Sequence, residues 1–351
     1  MIWRGGKSFI RYTGNPLSIP NYEGEGVVHP AAIYFQDGFD GYKFWLYYTP
    51  FPPESAENPC LVRSKDGINF TDEGITNPLI TSSTSGFDEN YLADLDVIYL
   101  DGKFYMLYVG VTYHRLGTIG LAESNDGINF VKYEGNPILE PTQEWELGQS
   151  LLTPTVYYDV KKFHVLYEAA GPRKVGYAFG SSLYSLKKYE KNPVLETGPR
   201  SLCRRILFSS PLSTIFRLTA SFKSTRPILE TLLSRNLQKG AWDTEAVNHL
   251  KLISTGEEYY LYYVGRKNPW WLNPVCQLGL ATSKNLRDWE KYAENPIMSP
   301  STGWESQHIY RASPVIVNDK IYLYYSAFSG GIPHIGLAYS TVMSEQDIMI
   351  E

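Results

Sequence analysis

FIRYTGNPL (9–17), FTDEGITNPL (70–79), FVKYEGNPI (130–138), KKYEKNPV (187–194) and WEKYAENPI (289–297) are five versions of one phrase. Its Asn-Pro steps stand at 15, 77, 136, 192 and 295, so the intervals are 62, 59, 56 and then 103 residues. A recurring period of this size decides an architecture before local propensity is weighed. Ahead of most copies lies a Ser-x-Asp or Ser-x-Asn step, at Ser64-Lys-Asp66, Ser124-Asn-Asp126 and Ser283-Lys-Asn285. Further back come Tyr-rich runs: KFWLYYT (43–49), KFYMLYV (103–109), KFHVLYE (162–168), YYLYYVG (259–265) and IYLYYSA (321–327). Aromatic and β-branched residues in short runs bounded by Gly, Asn, Asp and Pro read as antiparallel strands joined by tight turns. Asp66-Gly67, Asp101-Gly102 and Asp126-Gly127 are turn chemistry of the same kind.

Each repeat thus holds four strands: one starting near His29, Asp94, Thr153, His249 or Arg311, the Tyr-rich one, an IGLA-like one, and the strand before Asn-Pro. Radial packing of four-stranded sheets is the β-propeller. The last repeat stops after its third strand, HIGLAYS (334–340), while the N-terminus carries a spare fourth, SFIRYTGNPL (8–17). Pairing the two would close a ring and leave no open edge. The expectation is an all-β chain, a single five-bladed β-propeller domain over 1–351 with the N-terminal strand closing the last blade. Residues 199–241 are the excess in the long interval: they lack Tyr, are basic and Ser/Leu-rich, and read as an insertion between blades three and four. A degenerate sixth blade is the alternative, since LLSRNL (232–237) echoes ATSKNL (281–286).

Composition excludes several classes of function. Across 351 residues, 32 Lys and Arg face 37 Asp and Glu, and the formal charge of -5 provides no field for nucleic acid or an anionic membrane. A load of 28 Tyr and 8 Trp argues against disorder. Cys60, Cys203 and Cys276 are widely spaced and read as buried small hydrophobes. The N-terminal stretch has no signal-like apolar run, so the cytoplasm is the expected compartment. No GxGxxG after a strand, P-loop, HExxH or GxSxG is present.

Aligning the repeats on their Tyr-rich strands brings His29, Asp94, Thr153, His249 and Arg311 to one equivalent position. Glu25, Asn90, Gln149, Glu245 and Gln307 stand four residues earlier. A structural position would hold one consistent residue type, whereas here the chemistry changes from repeat to repeat at one depth. Loops on the same face add Arg115, Arg173, Trp270 and His334, with Arg and His suited to hydroxyls, carboxylates or phosphate and an aromatic suited to a sugar face. Among carboxylates Asp94 ranks first, beside His29 and near Arg311, while Asp96 two residues on could instead brace the strand. Glu168 and Glu245 are the candidates for a proton-donating acid. Trp145-Glu146, Trp242-Asp243 and Trp304-Glu305 recur as a pair and read as structural.

With HPAAIYF (29–35), GYKFWLYYTPFP (41–52), the repeated GNPIL phrase and IYRASPVIVNDKIYLYYSAFSGGIPHIGLA (309–338), the chain resembles the five-bladed β-propeller glycosidases, glycoside hydrolase families 43, 62, 32, 68, 117 and 130. In family 43 the first inner strand opens on an Asp-Pro that carries the general base; here the dipeptide is His29-Pro30. The resemblance implies a carbohydrate substrate and lets Asp94 correspond to a second-blade or third-blade Asp of family 43, as base or nucleophile-side carboxylate; that family's acid Glu has no motif-level match here, and Glu168 or Glu245 is placed as the acid by position alone. A family 117 likeness implies His29 or His249 as an acid paired with Asp94. A family 130 likeness implies Asp94 with Arg311 and His249 holding phosphate. The expected catalytic set is Asp94, Glu168, Glu245 and His29; the expected substrate-binding set is Glu25, Arg115, Arg173, His249, Trp270, Arg311 and His334. A glycoside hydrolase acting on a small or terminal sugar is the leading expectation, against a phosphate-dependent phosphorylase or a non-catalytic glycan-binding propeller. No cofactor is required, although a cation could sit among Asp94, His29 and His249; oligomeric state is not legible.

Overall fold

The computed structural model describes residues 9–22, 26–51, 57–199, 242–268, 274–318 and 320–341. Among them, regular structure is strand apart from single turns of 3-10 helix. β1 (Ile10–Arg11) precedes a sheet of β2 (Gly26–Phe39), β3 (Tyr42–Phe51), β4 (Cys60–Ser64) and β5 (Phe70–Thr71). A second sheet follows in β6 (Tyr91–Leu100), β7 (Lys103–Val111), β8 (Gly117–Ser124) and β9 (Val131–Lys132). The third is β10 (Leu151–Tyr158), β11 (Phe163–Ala169), β12 (Lys174–Gly180) and β13 (Lys187–Lys188). β14 (Ala246–Ser254), β15 (Tyr259–Arg266), β16 (Cys276–Ser283) and β17 (Glu290–Lys291) form the next antiparallel group. The last comprises β18 (His308–Val317), β19 (Lys320–Ser329) and β20 (Ile332–Thr341), and one parallel bridge, Cys276 to His308, joins it to the group before. β1 supplies its fourth strand, pairing Ile10 with Tyr339 and Arg11 with Ala338.

The Asn of each Asn-Pro step has a definite task. Asn136 accepts the Leu121 N–H at 2.8 Å and donates to the Leu121 carbonyl at 2.9 Å, so one side-chain amide pairs with the edge of the third strand as a peptide unit would. Asn77 does this to Leu61, Asn192 to Tyr177 and Asn295 to Leu280. Asn15 does it to Leu337, more than three hundred residues away. The amide satisfies backbone groups that a two-residue fourth strand leaves open.

The recurring aromatic-acid pair is structural. Glu146 accepts from the Tyr167 hydroxyl at 2.8 Å and from Lys188 Nζ at 2.6 Å. Asp243 takes Tyr263 and Lys291, Glu305 takes Tyr325 and Arg11, and Asp88, after Phe87, takes Tyr108 and Lys132. Each acid therefore ties the second strand of a sheet to its fourth. Beside the acid, the aromatic ring occupies space above glycines: Trp242 lies over Gly265 and Gly279, where an added Cβ would come within 2.1 and 2.6 Å of the indole.

Apolar clusters lie between neighbouring sheets. Trp45 meets Phe104 between the first and second, Leu107 meets Val165 between the second and third, and Leu166 meets Leu261 between the third and fourth. Tyr262 and Leu323 share the next cluster, and Tyr324 with Leu46 joins the last sheet to the first. The leading strands follow the same order, β2 packing against β6 and β18, with β10 and β14 between. All five contribute to one cavity of about 410 Å³, through residues such as Tyr34, Tyr99, Tyr157, Ser254 and Ile316. Cys60 and Cys276 are buried thiols. Apart from Pro199, the 199–241 stretch, and with it the insertion or sixth-blade question and Cys203, lies outside the described residues.

Candidate functional site

At the start of every leading strand the antiparallel register slips: between Val28 and Ala31, Ala93 and Leu95, Leu152 and Thr155, Asn248 and Lys251, and Ile309 and Ala312. The residues aligned from the sequence sit in these slips. His29, Asp94, Thr153 and His249 have φ of 54, 38, 46 and 49°, a left-handed backbone that costs a non-glycine residue about 1–2 kcal/mol. A bulge frees a residue from its ladder and re-aims its side chain. Four such residues held by distant segments are strain concentrated at one place, which is a common mark of a functional site.

Their side chains meet. His29 Nε2 lies 3.2 Å from Asp94 Oδ1, and His249 Nδ1 lies 3.9 Å from the same oxygen. The other carboxylate oxygen, Oδ2, accepts the Thr153 N–H at 3.3 Å. His29 Nδ1 is 2.9 Å from Glu57 Oε2 and 3.1 Å from Thr49 Oγ1. The Tyr310 ring completes the group, its centre 3.8 Å from that of His249 and 5.7 Å from that of His29. Burial presses the His29 imidazole towards neutrality, but Asp94 and Glu57 together outweigh it and raise its pKa. His249 goes the other way, held well below its ordinary value by burial and by the charges of His29 and Arg311.

Glu168, at the end of β11, is buried, and burial pushes its pKa up to about 8, with Asp94 adding to the rise and Arg173 opposing it. Thr153 follows Leu152, the register partner of Glu168, and its backbone N–H donates to Asp94. Arg173 Nη1 stands 4.0 Å from Glu168 Oε1. Arg311 is wholly buried; its Nη2 donates to the Pro154 carbonyl at 3.1 Å, and burial lowers its pKa against the pull of Asp96 and Asp94. Asp96 itself is a brace. It takes Lys251 Nζ at 2.5 Å, Thr155 Oγ1 at 2.8 Å, and the N–H groups of Val156 and Val97 at 3.0 and 3.1 Å.

The structure therefore brings together His29, Asp94, His249, Glu168 and Arg311, with Arg173 at the edge. Glu245 donates its N–H to the Arg266 carbonyl at 2.8 Å on the next sheet, and its charge acts on Arg266. Arg115 lies exposed in the turn after β7, its charge felt by Tyr91. His334 is placed within β20 opposite Ala327, its ring edge-on to Trp304 at 6.3 Å, in the packing of the last sheet. Glu25 and Trp270 lie outside the described residues. Glu57, Thr49 and Tyr310 escaped the sequence reading. Glu57 stands in a loop, PFPPESAENP, that shares no repeat position with the others, and Tyr310 precedes an aligned residue and carries no signal beyond that neighbourhood.

His29, Asp94 and His249 each offer one ligand atom, all within 4.8 Å of one another. His29 Nε2, Asp94 Oδ1 and His249 Nδ1 are buried and make no hydrogen bond among the described residues. Two imidazoles and a carboxylate suit a divalent cation, and the Glu57 carboxylate behind His29 is the kind of support that fixes a ligand ring and its tautomer. The residues fit such an ion.

No family model matches the chain. Among curated proteins it is similar to the A type blood N-acetyl-α-D-galactosamine deacetylase of Flavonifractor plautii, 24% identical over 325 residues, covering 82% of this chain and 37% of that protein. The chain thus spans little more than a third of that relative's length. The crystal structure of an N-acetylgalactosamine deacetylase from F. plautii, in complex with blood group B trisaccharide, superposes with a TM-score of 0.64 at 17% identity over 95% of each chain. A thermostable family-43 glycoside hydrolase gives 0.59 at 15% identity over 92% of this chain and 91% of the other. The β-1,2-mannobiose phosphorylase of Listeria innocua gives 0.62 at 14% identity over 97% and 98%. The fold is that of the propeller-type glycoside hydrolases.

Proposed function

We propose that this chain, with the fold of the propeller-type glycoside hydrolases, is a carbohydrate-active enzyme: a glycoside hydrolase that cleaves the linkage of a small or terminal sugar residue around Asp94. On this reading the five sheets are blades of one closed ring, and the reaction centre lies where the bulges at the starts of the leading strands bring His29, Asp94 and His249 together, while the cavity of about 410 Å³ lies further along the same strands. One observation carries it. Two carboxyl groups flank Thr153 but have opposite surroundings, Asp94 set between imidazoles and Glu168 buried, with its pKa pushed up to about 8. Glycosidic cleavage needs such a pair, one group to protonate the departing oxygen and one to assist water or the ring carbon. Glu168 donates the proton, Asp94 is the base or nucleophile-side carboxylate, and His29 and His249 hold Asp94 in place.

The pH profile tests the acid. Glu168 carries its proton up to about pH 8 in the folded chain, against 4.5 ordinarily, so activity is present below pH 8 and falls as pH rises through it. The stabilisation from that retained proton is fully present below about pH 4.5 and is lost as pH rises from there through about 8, the range in which the unfolded chain has lost the proton and the folded chain still holds it. Glu168→Gln is expected to remove the alkaline limb and to cost more on substrates with poor leaving groups than on activated aryl glycosides. A limb that persists unchanged in Glu168→Gln assigns the acid to another residue.

A second reading, removal of an N-acetyl group from a sugar, is favoured by the three donor atoms at His29, Asp94 and His249 and by the similarity to the deacetylase. A divalent cation held there would supply positive charge to polarise an acetamide or a water. His29, Asp94 and His249 would hold it, Glu57 would orient His29, and Glu168 would protonate the departing amine. Chromatography of products from an N-acetylhexosamine-terminated oligosaccharide separates the readings. Free acetate, lost on chelation and restored by added divalent ion, supports deacetylation; a released sugar with its acetyl group intact supports glycoside hydrolysis.

A further inference from the structure

Residues 112–116, between β7 and β8, close on themselves and on the chain just ahead of two leading strands. Thr112 N–H donates to the Leu116 carbonyl at 3.1 Å, Arg115 N–H to the Thr112 carbonyl at 2.8 Å, and Leu116 N–H to Thr112 Oγ1 at 3.3 Å. On one side Tyr113 N–H donates to Glu89 Oε1 at 3.4 Å and Asn90 N–H to the Val111 carbonyl at 3.0 Å, directly before β6. On the other, Ser150 Oγ accepts from Gly117 N–H at 2.9 Å and donates to the Arg115 carbonyl at 3.3 Å, directly before β10. The loop therefore bridges the starts of the two strands whose bulges join Asp94 to Thr153. Asp94 lies three positions beyond Tyr91, the partner of Val111, and Thr153 three beyond Ser150. At the usual rise of a strand, the loop stands about 10 Å along the strands from the bulges.

Tyr113 is 68% exposed on this pinned loop, against 47% for Tyr184 and 37% for Tyr99, and His114 and Arg115 are exposed beside it. A ring left in water adds little to folding, but one carried on a fixed backbone is a preorganised contact surface that loses few rotamers on binding. Its flat face suits the C–H face of a pyranose, and the neighbouring His and Arg suit hydroxyls. One pyranose at Asp94 falls short of the loop, and a second reaches it. Resting on the carbohydrate-active reading above, we propose that Tyr113 is the platform for the sugar next to the one held at Asp94, so that the substrate is the terminal residue of an oligosaccharide. The bulges read that terminal residue, and the 112–116 loop reads the chain attached to it.

Binding of the full chain to a glycan array tests this without requiring turnover, using mono-, di- and trisaccharides of common hexoses and N-acetylhexosamines printed in series that share a terminal residue. Carried into calorimetry, the best disaccharide is expected to bind about 10-fold more tightly than the monosaccharide that ends it. Tyr113→Ala is expected to bring that ratio to within about twofold of unity and Tyr113→Trp to restore it, both with the wild-type melting temperature of a surface substitution. Tyr184→Ala, at an exposed tyrosine bonded to Glu123 on β8, should leave the ratio at its wild-type value. A ratio near unity in the wild type, a ratio that survives Tyr113→Ala, or no binding of any printed glycan overturns the platform. A ratio that depends on Tyr113, with no released sugar and no free acetate from any glycan, keeps the platform and rejects the catalytic reading. Turnover of small aryl glycosides with no gain on longer chains keeps the catalytic reading and overturns the platform.

Discussion

Replacing Asp94 by Asn is expected to lower kcat/KM by at least about 10²-fold with the fold intact. The substitution keeps the size of the side chain and an oxygen able to accept the Thr153 N–H, now at 3.3 Å. What disappears is the negative charge facing His29 Nε2 at 3.2 Å and His249 Nδ1 at 3.9 Å. Both readings of the chemistry need that charge, one as base or nucleophile-side carboxylate and the other as a cation ligand. A second readout does not depend on turnover. Asp94 is the largest of the influences that raise the His29 pKa, so the imidazole should titrate at lower pH in the variant, followed by proton NMR of the ring. An Asp94→Asn variant that keeps more than about a tenth of wild-type turnover, far above the loss expected of a missing acid–base group, or a His29 titration that does not move, places the reaction centre elsewhere.

Asp96→Ala, two residues along the same strand, should do the opposite: destabilise the fold without touching the reaction. Asp96 is fully buried and joins β6 to β10 through Thr155 and Val156 and to β14 through Lys251. Deleting it leaves the Lys251 ammonium buried without its partner and opens the N–H of Val156, a change worth about 3–5 kcal/mol. Urea unfolding should show a lower midpoint with unchanged slope, while kcat per folded molecule stays within about twofold, the margin expected of a residue outside the reaction centre. Adding Lys251→Met should recover part of the loss, because the stranded charge goes with it. A loss below about 1 kcal/mol, the usual size of a surface substitution or less, would mean that the pair is not holding the three strands together.

The contrast between these neighbours shows what could be read early and what could not. Asp94 was legible because the repeat aligned it with His29, Thr153, His249 and Arg311, and Asp96 was correctly separated from it as a possible brace. The repeated acids at Glu146, Asp243 and Glu305 were legible as structural for the same reason: recurrence from repeat to repeat points to packing, and each does tie a Tyr to a basic residue. Glu57 was not legible. It reaches His29 from a connection with no counterpart in the other sheets, and nothing in local pattern says which loop residue will fold over a given strand. His334 shows the reverse error source: alignment puts it in a site-facing turn, but β20 begins at Ile332 and the ring goes to Trp304.

By itself the sequence determined the four-strand unit, the order of those units and the pairing of the N-terminal strand with the last, because these follow from periodicity and from an Asn-Pro signature that each unit needs locally. Only the tertiary structure decided which groups share a dielectric environment. The raised pKa of Glu168 and the lowered one of His249 arise from burial and from charges on other sheets, and neither is a property of any window along the chain.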